Sequence, residues 1–597
     1  MNFSAVVHNT KSRYSYAYDN ATLHVRIKTP IGEVQSIKVR AVDPFNWSKR
    51  EDGVYRFDTH TIKMVDMEYE GTTMYHDVWF AQIKDIDTLR IRYGFVMKTV
   101  EGDNYLYGCD SVENIDKDTK KGENVFNYFN FPYVNEEDIY KAPKWVKDTI
   151  WYQLTPTAFS DDGKEAKDNT CGNFKGLIKK LDFIQEMGYT AIYMTPIFEG
   201  YSWHLYDTTD YFNVSHKLGG NEGFKEFIVE AHKRGIKIML DAVFNHCGPL
   251  HPFWQDVIKN GKESKYFDCF YVLDENKPIL NVPINPDGTY EDVGSRLDNN
   301  VRTFAYTLNM PKLNTSNPQM RQYLLDVAKF WVEEFDIDGW RLDVSNEVSH
   351  EFWREFRKVV KTVKEDVYIM GENWDDSYPW LQGDQFDSVM NYGFMNVVWG
   401  YIAPEMEKIP KLNASQYKIA ITELATKYPK HLTESLFNIV CSHDVDRSLT
   451  VCNNNRDMVV LFYTLLLTYS GSPCVYYGDE VGIAGDEGNN RVPMIFDESR
   501  QDVEMKNHVK NMINIRKNNP VLKNIKQEFL LTDDETNTII FKKGDVIVLI
   551  YNNEKAGTIT LPLEIQNKEF EDIYHNTKVK LSKEINLEPY EFMILKG

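Results

Sequence analysis

Carboxylates stand at four places in the chain where a short apolar run ends. Residues 236–240 lead into Asp241-Ala242-Val243-Phe244-Asn245-His246, and Gly339-Trp340 leads into Arg341-Leu342-Asp343-Val344. Residues 367–370 lead into Gly371-Glu372-Asn373-Trp374, and residues 437–441 into Ser442-His443-Asp444. Such groups suit chemistry that needs both a proton donor and an electron-rich attacker. Arg341 and Asp343 are two apart on a strand, so both side chains face the same way. There the guanidinium is expected to keep the Asp343 carboxylate ionised, as a nucleophile must be. Glu372 needs the opposite treatment: the charges of Asp343 and Asp444, with partial burial, are expected to raise its pKa so that it holds a proton near neutral pH. A single Asp or Asn after a strand is commonly a helix cap. A cap does not explain an Arg two residues before an Asp, or two histidines beside carboxylates at different strand ends.

These groups require a scaffold that gathers the carboxyl ends of several strands. From Thr149 onward, apolar runs end near Pro156, Pro196, Phe244, Val344, Glu372, Met390, Ser442 and Tyr477, with amphipathic segments such as 173–187, 221–234, 319–335 and 350–364 between them. Eight runs in this rhythm predict an α/β protein built on a (β/α)8 barrel over 145–515, with its chemistry at the carboxyl ends of the strands. Residues 247–307 are too long for a plain barrel loop and predict an inserted excursion domain above the barrel mouth. Residues 1–135 alternate as strands do, for instance Leu23-His24-Val25-Arg26-Ile27 and Leu89-Arg90-Ile91-Arg92-Tyr93, with turn pairs Asp52-Gly53 and Glu101-Gly102. They predict an N-terminal β-sandwich, and residues 516–597 predict a C-terminal one, with strands at 538–541, 546–551, 558–561 and 591–595.

The 597 residues include 68 Lys+Arg against 89 Asp+Glu, a formal net charge of −21. That balance repels phosphate backbones and anionic lipid surfaces, so neither nucleic acid nor membrane partners are expected. Seven cysteines without CxxC or Cys/His ligand spacing indicate neither a disulfide framework nor a zinc site, and the sequence reads as cytoplasmic. Aromatic residues make up 14% of the chain; flat rings stack on the C–H faces of sugars, although they also fill cores.

The four motifs at strands three, four, five and seven resemble those of the α-amylase superfamily, glycoside hydrolase family 13. Met310-Pro311-Lys312-Leu313-Asn314 resembles the fifth motif of its neopullulanase, cyclomaltodextrinase and maltogenic amylase subfamily, and Val344-Ser345-Asn346-Glu347-Val348 resembles that group's extension of the fourth-strand motif. His8, Tyr16, Tyr18 and Asp77-Val78-Trp79-Phe80-Ala81 look like its amino-terminal starch-binding module. The resemblance implies a retaining α-glucan hydrolase acting on cyclodextrins, pullulan or short maltooligosaccharides, with some transglycosylation. Asp343 would be the nucleophile, Glu372 the general acid/base and Asp444 the third carboxylate. Tyr206, Asp241, His246, Arg341, Asn346, Glu347, Trp374, His443 and Arg491 would bind substrate. A homodimer through the amino-terminal module is also implied, with Tyr14, Tyr16, Tyr18, Phe45 and Trp47 as contact candidates, unless these rings fill the sandwich core. The resemblance is imperfect: the arginine expected after the first strand is absent from Thr155-Pro156-Thr157-Ala158-Phe159, and Phe496 stands where a Trp is usual. No cofactor is required. Asp161, Asp162 and Asp168 offer the oxygen ligands a structural Ca²⁺ takes, or else form a solvated turn. An α-1,6-preferring oligoglucosidase and a non-catalytic carbohydrate-binding protein are the rival expectations.

Overall fold

The structure, a computed structural model, describes residues 1–117, 128–131, 133–136, 139, 142–294 and 300–597. Eight parallel strands close into a barrel: β1 (Trp151–Leu154), β2 (Ala191–Met194), β3 (Lys237–Ala242), β4 (Gly339–Leu342), β5 (Tyr368–Gly371), β6 (Ser388–Asn391), β7 (Phe437–Asn438) and β8 (Ser472–Tyr476). They are the eight apolar runs of the sequence in order. Each is buried along nearly its whole length, as parallel strands covered on both faces must be, which is why they read as continuous apolar runs. Helices such as Gly220–Lys233, Pro318–Phe335 and His350–Val363 turn Phe, Leu, Val and Trp side chains inward over the strands.

Register does the positioning. Asp241 lies opposite Arg341 across the β3–β4 pair, and Leu342 lies opposite Gly371 across β4–β5. One residue further, Asp343 and Glu372 therefore emerge side by side. Gly371 is required here, because a Cβ would lie 2.4 Å from the Phe386 ring and 2.9 Å from Ser345 Oγ. The segment after β3 carries the helix Pro252–Asn260 and two short 3₁₀ turns, pinned by a hydrogen bond from Trp254 Nε1 to Tyr290 Oη of 2.8 Å. Residues 295–299 of the expected insertion lie outside the described residues. Beyond the barrel, the strands Glu528–Asp533, Thr538–Lys543, Val546–Tyr551, Phe592–Lys596, Glu569–Asp572 and Thr577–Lys580 form one antiparallel sheet. Gly557–Thr560 and Glu584–Leu587 form a second, and Ile540, Leu549, Ile559, Leu587 and Leu595 share the core.

A separate compact unit comprises residues 1–141 together with 413–433. Its first sheet runs in the order Ser15–Asp19, Thr22–Pro30, His76–Ile83, Glu68–Thr72. Its second is built on Ile91–Thr99 and Val34–Val42, and the core between the sheets holds Leu23, Val25, Ile27, Val39, Tyr93 and Phe95. Leu89 and Arg90, expected in a strand, lie in the turn before it, with Leu89 at φ 57°. The second correction concerns 413–433, which the sequence division assigns to the barrel. His24 and Arg26 point away from the sandwich core, yet both are buried. Arg26 Nη1 donates to the carbonyls of Thr426 and Tyr428, 3.1 Å each, and its Nε to Glu70 at 2.7 Å, while Lys430 pairs with Glu70 at 3.0 Å. Tyr16, opposite His24 on that same outward face, is buried, and its hydroxyl accepts the Lys430 backbone N–H at 2.9 Å. Phe45 and Trp47 are exposed.

Removing this buried guanidinium leaves two carbonyls without their donor and the largely buried Glu70 with Lys430 as its one remaining cation among the described residues. Arg26→Ala is expected to destabilise the protein by about 3–5 kcal/mol, read as a lower urea midpoint, with 413–433 among the first segments to lose amide protection in hydrogen exchange.

Candidate active site

Arg341, fully buried at the end of β4, is the centre of the site. Its Nη1 donates to Asp343 Oδ1 at 2.5 Å and to both oxygens of Asp241 at 3.0 and 3.2 Å. Its Nη2 lies 2.9 Å from Glu372 Oε2 and 3.6 Å from Asp444 Oδ2. One cation thus meets all four carboxylates that the sequence places at strand ends. Planar, forked and always charged, guanidinium is the side chain suited to this.

The backbone after Asp343 is strained to serve the same centre. Val344 adopts φ 45°, ψ 42°, a left-handed conformation that a β-branched residue rarely takes and that costs on the order of 1–3 kcal/mol. It aims the Val344 N–H at Glu372 Oε2, 2.8 Å away. Trp374 Nε1 donates to the other oxygen at 3.0 Å, and its ring, half exposed, stacks on Tyr392 at 3.7 Å.

On the opposite wall, Tyr206 donates to Asp241 Oδ2 at 3.1 Å, bonds to His443 Nε2, and lies nearly parallel to the His443 ring. The Gln153 amide holds the other nitrogen of His443. With that amide donating, His443 carries its proton on Nε2. Arg491 donates to Asp444 Oδ1 and to the His443 carbonyl, 3.2 Å each, with its guanidinium 5.3 Å from the Tyr206 ring centre. His246 is buried and stacks on Phe304 at 5.0 Å. Asn346 and Glu347 do not join this cluster through any of these bonds. They are exposed on the short turn after β4, where Glu347 pairs with Lys312 at 3.0 Å beside a cavity of about 400 Å³ lined by Arg302, Thr303 and Tyr306.

Tyr193 and Gln153 belong to the site although they fall inside apolar runs; Tyr193 donates to Asp241 Oδ2 at 2.8 Å. The signal for Gln153 was present, a lone amide in Trp151-Tyr152-Gln153-Leu154. Tyr193 carried none, because a tyrosine in a run reads as core.

Burial dominates the titration of the cluster. It pushes the Asp343 carboxyl up; Arg341 opposes this, and the charges of Glu372 and Asp241 add to it. The guanidinium alone therefore does not secure the ionised form expected from the sequence, because it is shared. Burial also opposes ionisation of Asp444, but His443, Arg341 and Arg491 together hold its carboxyl below the usual range. Since burial pushes His443 itself towards the neutral form, the two guanidiniums are the lasting charges there. With one guanidinium divided among four carboxylates, the balance at Asp343 lies towards its protonated form. Burial, with the Lys312 charge, pushes His246 down to about 3. Asp343 Oδ2 and His246 Nε2 are buried without a hydrogen-bond partner among the described residues. Leaving such atoms unpaired costs about 1–3 kcal/mol each, and that pattern suits a site built to take a hydroxyl-rich ligand.

The residues suggested for Ca²⁺ do not fit one. Asp162 pairs with Lys175 at 3.1 Å and Lys179 at 2.7 Å, two cations that a metal would have to displace. Asp161 accepts from Asn173, and Asp168 from the N–H and hydroxyl of Thr170. No cluster of three or more His, Cys, Asp or Glu side chains able to hold a metal occurs among the described residues.

The catalytic-domain profile of the α-amylases matches residues 153–523, and their N-terminal Ig-like domain profile matches residues 1–135. The chain belongs to the α-amylase family. It is 37% identical to a cyclomaltodextrinase of Geobacillus thermopakistaniensis, covering 100% of this chain and 99% of the relative. It is 35% identical to an intracellular maltogenic amylase of Bacillus subtilis strain 168, again covering 100% and 99%. A solved cyclomaltodextrinase structure superposes with a TM-score of 0.86 at 32% identity, covering the whole of both chains. The α-amylase fold is thus shared from end to end, and the chain is a glycoside hydrolase.

Removing the shared cation from this α-amylase site tests the charge argument. A carboxyl whose folded pKa lies above its unfolded value binds its proton more tightly when folded, so the stability it contributes is lost as pH rises through the folded pKa. Arg341→Met removes the guanidinium that pulls the Asp343 carboxyl down against burial. The variant is expected to lose about 3–5 kcal/mol at pH 8 and markedly less at pH 5, measured by urea unfolding at the two pH values.

Proposed function

We propose that this α-amylase family member hydrolyses α-1,4 bonds, and some α-1,6 bonds, in cyclodextrins, pullulan and short maltooligosaccharides with retention of anomeric configuration. The observation that carries the reading is that one guanidinium binds both Asp343 and Glu372 while Asp343 Oδ2 has no partner of its own. A retaining pair needs its carboxyl groups about 5–5.5 Å apart, and a shared guanidinium draws Asp343 and Glu372 towards each other.

In the proposed reaction Glu372 gives its proton to the glycosidic oxygen as that bond breaks, and Asp343 Oδ2 forms a bond to the anomeric carbon. Glu372 then takes a proton from water, which attacks the same carbon and releases Asp343. Asp444, held by Arg491, would grip hydroxyls of the −1 sugar together with Asp241, His246 and His443. Tyr206 would stack beneath that sugar, its ring facing the positive charge that develops there. Trp374 and the rim residues Asn346 and Glu347 would meet the leaving sugars, and glycosyl transfer to a sugar in place of water follows from the same intermediate.

Asp343→Asn is expected to lower turnover by about 10³-fold or more with the fold intact, whereas Glu372→Gln should keep measurable activity on substrates whose leaving group needs no proton. Azide should trap a β-glycosyl azide with Asp343→Gly and an α-glycosyl azide with Glu372→Gln; the same anomer from both would refute the division of roles. Chromatography of products from β-cyclodextrin, pullulan and starch separates this reading from an α-1,6-preferring oligoglucosidase.

The same reading includes a cytoplasmic homodimer. It is supported by the intracellular relative, the seven unpaired cysteines and the exposed aromatics Phe45 and Trp47, since interfaces favour aromatic side chains. No helix among the described residues is long and apolar enough to cross a membrane. Sedimentation of the intact chain at micromolar concentration is expected to give the dimer mass, and Phe45→Ser with Trp47→Ser to shift it to monomer.

A further inference from the structure

Lys312 takes no part in the chemistry above, yet it ties together the segments that frame it. Its ammonium bonds to Asn245 Oδ1, to the Glu347 carbonyl at 3.2 Å and to Glu347 Oε2 at 3.0 Å, so its three donors meet three oxygens. Asn245 precedes His246 at the end of β3, and Glu347 ends the turn that follows Asp343. The backbone reinforces the junction. Leu313 N–H donates to the Asn245 carbonyl at 2.9 Å, Lys312 N–H to the Arg302 carbonyl at 2.9 Å, and Phe304 N–H to the Met310 carbonyl at 2.9 Å. That last bond fixes the segment carrying the ring on which His246 stacks. The Lys312 side chain is 17% exposed, while its partner Glu347 is 44% exposed, so the ammonium reaches from a largely buried stem to the solvent-facing rim.

We propose that Lys312 is a positioning residue for hydrolysis: its ammonium sets the His246 end of β3 and the Glu347 rim in one geometry, so that the pocket for the reacting sugar and the rim beyond it are fixed by a single charge. It acts through Asn245 and Glu347 and not on the substrate. An apolar side chain of the same length would fill the space, but it would leave a carboxylate, a carbonyl and an amide oxygen facing one another without a donor. Those three oxygens repel, and the junction opens.

The inference rests on the hydrolase reading, and its test has one arm that needs no turnover. Lys312→Met is expected to lower kcat/KM on β-cyclodextrin and on an aryl α-maltoside by about tenfold, with the melting temperature little changed. Lys312→Arg should recover most of that loss. In Lys312→Ala, added propylammonium should restore activity several-fold, whereas tetramethylammonium, which has no N–H donor, should not. Hydrogen exchange at residues 245–247 and 345–348 should rise together in Lys312→Met and fall again in Lys312→Ala with propylammonium. Should the Ala variant not fold, Lys312→Gln takes its place. Activity of Lys312→Met within about twofold of the parent, a loss that propylammonium does not answer, or exchange that rises in one segment alone would overturn the proposal. Parent protein that hydrolyses no α-glucan would instead overturn the substrate reading, and the exchange arm would still decide the role of Lys312.

Discussion

The site depends on one guanidinium shared among four carboxylates. Carboxylates buried this close together repel, and burial penalises each charge again. Arg341 makes the arrangement tolerable without making it comfortable, because each share of its charge is partial. The result is graded: His443, Arg341 and Arg491 hold the Asp444 carboxyl below the usual range, while burial pushes the Asp343 carboxyl up against the pull of Arg341.

Much of this was legible in the chain, and the reasons are physical. Parallel strands buried on both faces must be apolar throughout, so the barrel announces itself as eight runs, and polar residues just past each run have nowhere to go but the mouth. Arg341 and Asp343 were readable as a pair because a strand alternates with period two. For Ca²⁺, composition shows oxygen ligands but not the cations beside them; Lys175 and Lys179, within and at the end of the short helix Phe174–Ile178, both pair with Asp162. Tyr193 was invisible because a tyrosine in a run can be core or site, and only the partner of its hydroxyl tells which. The titration of Asp343 could not be read from the Arg341 spacing alone, since the number of groups sharing that cation is a three-dimensional fact.

The strand Thr22–Pro30 shows the opposite limit. Its alternation of apolar and polar residues reads as one buried and one solvated face, and the apolar half of that reading describes the sandwich core. The polar half does not face water. His24 and Arg26 are both buried, and Arg26 donates to carbonyls of a segment that follows it by some four hundred residues, while His24 bonds the Tyr16 hydroxyl. Alternation reports that two faces differ in chemistry, not that one of them is wet.

Val344 gives the molecule a particular exposure to selection. Its left-handed backbone is a local reserve of unfavourable energy held in place by the packing around it, and the N–H it directs at Glu372 is the return. A glycine or asparagine would sit there with less strain, so selection for heat resistance alone would favour both. Selection for turnover would favour whatever keeps that amide aimed most rigidly. The two pressures meet at one residue beside the reacting groups, and lineages of this enzyme kept at different temperatures should diverge there before they diverge at Asp343 or Glu372.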